Sequence, residues 1–231
     1  MRILGIDTST PIGSVALIED DNIVAEHTLN IVQAHSSRLM PAIDTVLKWG
    51  EITPHDLDGC AVGIGPGSFT GVRIGVATVK SLCYAVDKPI VGVSTLEAIA
   101  YNLRWTEGLI CPILDARRSE IYGAIFHGGT EWQRITDDLC LPIDAFLDKL
   151  DRHTTPDSTI VFVGDGLTAY GNAIQEKFDK TAPQGQYKRA DAIFNVPRGA
   201  AIAKLGANRL NQNDIDSYWT LVPNYVRIGL Y

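Results

Sequence analysis

The sequence predicts an α/β protein made of two similar lobes. Apolar runs and helical patterns alternate along the first half in the order βββαβαβα. Each half also contains a strand pattern that ends on an aspartate, at Asp7 and at Asp115, and a second apolar strand pattern begins six residues later. One such unit is ordinary, because Asp is frequent in turns. Two units with the same spacing favour an internal duplication, with lobes at residues 1–103 and 104–231.

The first half opens with three predicted strands and a helix. Residues 2–7, 13–19 and 22–29 are rich in apolar and β-branched side chains, and two aspartates provide the turn before the third strand. A helix is predicted next, because apolar residues recur at i, i+4, i+7 and i+8 before Gly50. Those apolar residues are Leu39, Ile43, Val46 and Leu47.

The remaining predicted elements follow a glycine-rich loop. An apolar strand at 59–64 leads through this loop into a second helix, and a strand at 89–93 precedes a third helix. Ser94 and Glu97 form the capping box that opens this third helix. The second half then predicts a strand at residues 159–163, and its predicted helices lie after Pro142, at 167–178 and at 199–210.

Composition is typical of a compact globular protein. The 231 residues are 45% hydrophobic and 20% charged, and no apolar run approaches the roughly 18 residues of a membrane-spanning helix. The N-terminus enters a strand pattern without the apolar stretch of a signal peptide, so we expect a cytoplasmic protein. The formal net charge is −7. Because a domain that grips RNA by itself carries a basic face, we expect a partner to hold any RNA.

The glycine-rich loop at residues 63–73, GIGPGSFTGVR, is the most distinctive segment. Backbone N–H groups at such a loop often bind phosphate. A Walker loop ends in Gly-Lys-Ser/Thr, whereas Gly71 precedes Val72, and the dinucleotide fingerprint requires a glycine where Ser68 stands. We therefore favour a structural role, in which the glycines allow close packing and Ser68 or Thr70 caps the second helix.

Asp7, Thr8 and Ser9 form a second candidate site. A carboxylate at a strand end, followed by small hydroxyl residues, suits a metal-bound phosphate. An ordinary β-turn explains the same residues, and this interpretation is favoured when they are taken alone. In the second half, Arg117 and Arg118 crowd the corresponding turn, so a phosphate site there is expected to be weak or lost. Residual nucleotide binding at Asp7, Thr8 and Ser9 stays open.

Catalytic and metal-binding motifs are not found in the sequence. It contains no G-x-S-x-G elbow, no HxxxH or HExxH pair and no CxxC pair. We therefore predict no catalytic residue, no metal ligand and no required cofactor.

Several segments together resemble the bacterial TsaB family, also called YeaZ. The stretches GPGSFTGVRIG at residues 65–75 and GVSTLEA at 92–98 carry most of the resemblance. Further matches, in the same order, are ILGIDTST at 3–10, HSSRLMPAIDTVL at 35–47, ILDARRSEIY at 113–122 and VPNYVRIG at 222–229.

The resemblance implies a duplicated, two-lobed actin/Hsp70/sugar-kinase-like fold with a ribonuclease-H-like core in each lobe. It also implies a non-catalytic subunit of the complex that transfers a threonylcarbamoyl group to the adenosine beside the tRNA anticodon. The implied partners are the catalytic paralogue TsaD and the ATPase TsaE, with tRNA reached only through the complex. A homodimer is implied when the partner is missing. The paralogue holds a metal with an HxxxH pair. In this sequence Leu39 stands four residues after His35, so the second histidine of the pair is absent.

The resemblance further implies that the first two long helices contact the partner. The candidate residues carried over from the family are Leu39, Ile43, Val46, Leu47, Arg73, Val76, Ala77 and Lys80. Two other hypotheses about the function remain open. One is an ATP-dependent phosphotransferase or ATPase of the same fold, and the other is a metalloprotease, which the missing HxxxH pair disfavours.

Overall fold

The computed structural model describes residues 1–30, 35–155, 157–181 and 187–227. The chain divides into two compact units. The first unit contains Met1–Ala98 and Pro197–Tyr225, and the second contains Ile99–Val196 and Val226–Tyr231. No helix in the described part of the chain is long and apolar enough to cross a membrane.

A five-stranded sheet forms the centre of the first unit. Its strands are β1 (Arg2–Asp7), β2 (Ile12–Glu19), β3 (Asn22–Asn30), β4 (Gly59–Gly63) and β5 (Ile90–Val93). Their order across the sheet is β3-β2-β1-β4-β5. The strands β1, β2 and β3 pair antiparallel, whereas β4 and β5 run parallel to β1.

The second unit contains a seven-stranded sheet. Its strands are β6 (Gly108–Arg117), β7 (Glu120–Gly123), β8 (Phe126–Gly128), β9 (Gln133–Arg134), β10 (Leu139–Pro142), β11 (Ile160–Val163) and β12 (Tyr187–Arg189). The main path is β10-β7-β6-β11-β12, and β8 pairs with β6 and β9 beside it. The two sheets therefore share one topology, with three antiparallel strands followed by two parallel ones. This confirms the predicted duplication.

Six α-helices accompany the strands in the described part of the chain. They are α1 (His35–Trp49), α2 (Phe69–Val86), α3 (Thr95–Tyr101), α4 (Ile143–Asp151), α5 (Gly166–Thr181) and α6 (Gly199–Asn211). Each unit has its own apolar core. In the first unit, one side of α1 and α2 packs against β1, β2 and β4, as their buried apolar residues require.

The division of the chain differs from the predicted boundary between residues 103 and 104. That boundary places residues 197–225 in the second lobe, whereas the structure groups them with the first sheet. The physical reason is the packing of α6 against β1. A Cβ atom on Gly5 would overlap the Gly199 carbonyl oxygen and the Ala203 amide nitrogen. The helix backbone thus lies directly against the strand, which only glycine at position 5 permits.

One predicted strand of the second unit is interrupted. The sequence pattern predicted one apolar strand beginning six residues after Asp115, but β7 ends at Gly123 and a separate strand, β8, begins at Phe126. Between them, the Ile125 N–H donates to the Thr136 hydroxyl oxygen at 3.0 Å. The chain changes pairing partner at this point, from β10 to β9.

Candidate functional site

The turn after β1 is closed and internally hydrogen-bonded. The Ser9 N–H and the Ser9 hydroxyl both donate to Asp7 Oδ1, at 2.8 and 2.6 Å. The Thr95 hydroxyl oxygen lies 2.9 Å from Asp7 Oδ2 and also 2.9 Å from Ser9 Oγ. The Thr8 hydroxyl donates to the Gly71 carbonyl oxygen at 2.7 Å. These bonds satisfy polar groups that the fold removes from water.

The glycine-rich loop covers this turn. The Ser68 N–H donates to the Ser9 carbonyl oxygen at 2.6 Å. A Cβ atom on Gly67 would overlap the Ser9 carbonyl oxygen, and one on Gly71 would overlap the Thr8 carbonyl oxygen. The Ser68 hydroxyl accepts from the Gly71 N–H at 3.2 Å and caps α2. The loop therefore has the structural role that the sequence favoured.

The candidate nucleotide-binding residues lie beneath this loop. Asp7, Thr8 and Ser9 are at most 1% exposed. A nucleotide phosphate needs access to the carboxylate and the hydroxyls, and these side chains are buried in this structure. The geometry matches the ordinary-turn interpretation of these residues, and nucleotide binding by them stays a prediction.

The equivalent turn of the second unit is more open. The Arg117 N–H donates to Asp115 Oδ1 at 2.8 Å, and its guanidinium lies 3.3 Å from Asp115 Oδ2. The Asp115 N–H donates to Asp165 Oδ1 at 3.2 Å. The pKa of the Asp165 carboxyl is raised, first by partial desolvation and then by the Asp115 charge, while the Asp115 N–H opposes the shift. The predicted strand end at Asp115 is therefore two residues early, because β6 continues to Arg117, which pairs with Asp115.

Among the described residues, no group of three or more His, Cys, Asp or Glu side chains is arranged to hold a metal ion.

The predicted partner-contact residues separate into two groups. Leu39, Ile43, Val46, Leu47 and Val76 are buried in the apolar core of the first unit. Such side chains are held in place by packing within the chain and present no surface to a partner. Arg73 and Ala77 are exposed, and Lys80 is half-buried. The carried-over set therefore mixes core positions with surface positions, because neighbouring residues of a helix point in different directions.

The surface side of α2 carries a continuous row of exposed residues. Phe69, Arg73, Ala77, Ser81 and Tyr84 are all exposed and follow one another at steps of four, four, four and three. This spacing aligns them along one side of the helix over about 22 Å. Aromatic rings stand near both ends and small residues in the middle. The Ser81 hydroxyl donates to the Ala77 carbonyl oxygen at 2.9 Å, so its hydroxyl proton is already used.

A C-terminal segment extends this row on the same unit. The Lys80 ammonium donates to the Leu221 carbonyl oxygen at 2.9 Å, and the Asn224 N–H donates to the Ile64 carbonyl oxygen at 2.7 Å. These bonds hold the segment of residues 219–225 beside α2. It adds three large exposed side chains, those of Trp219, Val222 and Tyr225. We call the surface made by Phe69, Arg73, Ala77, Ser81, Tyr84, Trp219, Val222 and Tyr225 the α2 face.

The aromatic members of the α2 face form two clusters. The Tyr84 ring lies 5.5 Å from the Trp219 ring, and these side chains are 61% and 72% exposed. At the other end, the Phe69 and Tyr225 rings lie 5.6 Å apart. Exposed aromatic rings grouped in this way are characteristic of protein–protein contacts.

Most of this face was missed by the sequence reasoning. The spacing of Phe69, Ala77 and Ser81 along one helix side was available as a signal. The contribution of Trp219 and Tyr225 was not, because it depends on a contact between distant parts of the chain. The motif VPNYVRIG at residues 222–229 includes Tyr225, and its last two residues lie outside the described part of the chain.

Comparison with known proteins identifies relatives over the full length. Residues 22–227 match the family model of TsaD, tRNA N6-adenosine threonylcarbamoyltransferase. A Bacillus subtilis protein named tRNA threonylcarbamoyladenosine biosynthesis protein TsaB is 34% identical, with 99% of this chain and 95% of the relative covered.

Solved structures show the same architecture. YeaZ from Pseudomonas aeruginosa superposes with a TM-score of 0.77 at 25% identity, over 97% of this chain and 99% of that one. A ROK hexokinase from Thermus thermophilus gives a TM-score of 0.51 at 12% identity, over 92% and 100% of the two chains, which is a likeness of fold alone. The predicted duplicated fold of the actin and sugar-kinase type is confirmed, and the chain belongs to the TsaB (YeaZ) family.

Proposed function

We propose that this chain acts in tRNA threonylcarbamoyladenosine biosynthesis as a non-catalytic subunit, which binds and organises the catalytic paralogue TsaD. The proposal includes the ATPase TsaE as a further partner, tRNA reached only through the complex, and work in the cytoplasm. The same surface would form a homodimer when the partner is missing. The observation that carries the proposal is the α2 face, together with the TsaB name of the full-length relative.

The shape of the α2 face favours a helical partner. Ala77 and Ser81 lie in its middle, where small side chains let a second helix approach closely. Aromatic clusters on either side supply the large apolar contacts that dominate binding energy in interfaces. A TsaD family model matches most of this chain, so a paralogue of the same fold offers helices of comparable length.

The non-catalytic role is supported by the two strand-end turns. Asp7 is covered by the glycine-rich loop, and Asp115 is paired with Arg117. In this structure the carboxylate of each turn is already paired within the chain, whereas a phosphoryl-transfer site uses carboxylates to hold Mg²⁺ or to orient the nucleophile. The proposal therefore assigns no cofactor to this chain and places the chemistry on its partner.

Reconstitution tests the role as a whole. tRNA modification is measured with TsaD and TsaE from the same organism, with and without this chain. We expect modification to depend on this chain, and we expect none from the chain alone. Modification at full rate without it would overturn the proposal. Turnover of ATP by the isolated chain would instead support the alternative of an active phosphotransferase or ATPase.

A matched pair of substitutions tests the surface. Ala77→Arg places a large charged side chain in the middle of the α2 face, and Ala145→Arg makes the same change at an exposed position of α4. We expect the first to weaken TsaD binding by about 100-fold, as the loss of a central contact would, and the second to leave it unchanged. Replacing Ile43 or Val76 by a charged residue would destabilise the fold and would not test the surface, because both are core residues.

A further inference from the structure

One cation of the α2 face is held in a fixed orientation by its neighbours. The Arg73 guanidinium carbon lies 3.5 Å from the centre of the Phe69 ring and 5.6 Å from that of the Tyr225 ring. Its Nε–H donates to the Tyr225 hydroxyl oxygen at 2.7 Å. The two aromatic side chains and the hydroxyl together fix the plane of the guanidinium, although the side chain is exposed.

Tyr225 is itself anchored to the first sheet. The residue before it, Asn224, donates its N–H to the Ile64 carbonyl oxygen at 2.7 Å, at the end of β4. Phe69 stands at the first position of α2, one turn before Arg73. The orientation of Arg73 thus depends on Phe69 in its own helix and on Tyr225, which lies 152 residues after Arg73 in sequence. An exposed arginine normally loses considerable side-chain entropy on binding, and this arrangement removes much of that cost in advance.

The terminal nitrogens of Arg73 have no acceptor within the described part of the chain. Its one hydrogen bond there is made by Nε, and no carboxylate of the described residues pairs with it. Three other arginines of the first unit have carboxylate partners, and Arg2 pairs with Glu19. Arg198 pairs with Glu26, and Arg209 pairs with Asp214 and Asp216. Arg73 therefore presents the two-nitrogen edge that matches a carboxylate in bidentate geometry.

We infer that Arg73, oriented by Phe69 and Tyr225, is the site on the α2 face that binds an aspartate or glutamate side chain of the partner protein. This inference rests on the proposed function, since it concerns the same surface. A protein carboxylate is favoured over an RNA phosphate for two reasons. The surrounding members of the face are aromatic, aliphatic or small, and the nearest α2 cation, Lys80, already donates to Leu221. Phosphate recognition needs several cations together.

The aromatic surroundings also explain why the ion pair is expected to contribute to affinity. A surface ion pair in water contributes little, because solvent screens it. Phe69 and Tyr225 are exposed in the isolated chain and would be covered by a partner. Once water is excluded around them, the same pair is stronger, and a mismatched partner leaves a buried, unpaired charge. The site would thus add specificity to an otherwise apolar contact.

The test uses affinity for TsaD, measured by calorimetry with the full chain, for two variants and two matched controls. Arg73→Lys keeps the charge and loses the planar fork, and Tyr225→Phe loses the hydroxyl that orients it. Arg104→Lys is the control for the first, because Arg104 also stacks on aromatic rings, at 4.5 Å from Tyr101. Tyr187→Phe is the control for the second, because its hydroxyl accepts from Arg189 Nε at 2.8 Å.

We expect Arg73→Lys to weaken binding by about 10-fold or more, and Tyr225→Phe by a smaller factor. Both controls should bind as the unchanged chain does, and all four should keep its melting temperature within a few degrees. Acidic residues of TsaD are then changed singly to their amides. One of them should show non-additivity of about 10-fold with Arg73→Lys, which identifies the carboxylate.

Several outcomes separate this inference from the proposed function. If the unchanged chain does not bind TsaD, both are overturned. If it binds and Arg73→Lys binds equally well, the carboxylate inference alone is overturned. Loss of tRNA binding by the complex, with TsaD affinity unchanged, would assign Arg73 to a phosphate contact and would also overturn it. Absence of a coupled acidic residue on TsaD would do the same.

Discussion

Asp7 ends β1 and Asp115 lies two residues before the end of β6, the equivalent strand of a sheet with the same topology, yet their surroundings differ. Asp7 is fully buried and accepts hydrogen bonds from Ser9, and Thr95 lies beside it. The Asp115 side chain remains 25% exposed and is paired with Arg117. The first turn is covered by the glycine-rich loop. The comparison indicates that one copy of the duplicated unit became a packed structural element, whereas its counterpart stayed a solvated, charged turn.

The largest difference in stability is expected from glycine substitutions in α2 and α5, the helices that follow the equivalent strands β4 and β11. Gly71→Ala in α2 should lower the free energy of unfolding by about 3 kcal/mol or more, since the new Cβ atom meets the Thr8 carbonyl oxygen. Gly171→Ala in α5 should change it by less than about 1 kcal/mol. There the Cβ atom meets only the guanidinium end of the Arg189 side chain, at 3.0 Å or more, and alanine favours the helix.

Urea unfolding of both variants measures this contrast. Equal destabilisation of the two would show that the glycine-rich loop is no more tightly packed on its turn than α5 is on its surroundings.

A second contrast compares the two aspartates themselves. Asp7→Asn should cost about 2–3 kcal/mol, because an amide NH₂ would face hydroxyl groups that now donate to a buried carboxylate. Asp115→Asn should cost less than about 1 kcal/mol, since the amide oxygen still accepts from the Arg117 N–H and the lost ion pair is exposed. Thermal unfolding of the two variants provides the comparison, and the reverse ranking would contradict it.

The smallest expected effect concerns pH and Asp165, which lies beside Asp115. The folded-state pKa of Asp165 is raised above its ordinary value of 3.8, so ionisation is less favourable in the folded state. Stability should therefore fall slightly as pH rises through 3.8 and through the raised pKa. Asp165→Asn keeps the acceptor for the Asp115 N–H and removes this loss. The variant should be more stable than the original chain at neutral pH.

A control of opposite sign is available in the same unit. The Lys177 ammonium lowers the pKa of Asp148 through a hydrogen bond, so Asp148→Asn should lose stability at neutral pH and not in acid. Melting temperatures between pH 3 and 7 test both variants. A gain for Asp165→Asn that is the same at every pH would exclude the titration as its cause.

Local patterns were sufficient for much of the fold. The alternation of apolar runs predicted β1 to β5, and Ser68 was correctly among the residues expected to cap α2. Spacing alone did not separate the two sides of α2, which carries apolar or small residues around most of its circumference. Val76 lies in the core and Ala77 on the surface, and only the tertiary packing distinguishes these neighbours.

Long-range contacts account for the rest. The Arg73 contact with Tyr225 joins residues 152 positions apart, and no local sequence pattern predicts such a contact. The same holds for α6, whose approach to Gly5 assigns residues 197–225 to the first unit. Helical periodicity predicted α6 itself, but periodicity carries no information about which sheet a helix joins.

The packing of α6 against β1 has a consequence for synthesis on the ribosome. Residues 99–196 form most of the second unit as one uninterrupted segment, so they emerge complete before the first unit has its last helix. Until Gly199–Asn211 is translated, the α6 side of β1 stays uncovered around Gly5. The first unit therefore stays incomplete, with apolar sheet surface exposed on the nascent chain, while residues 99–196 are synthesised.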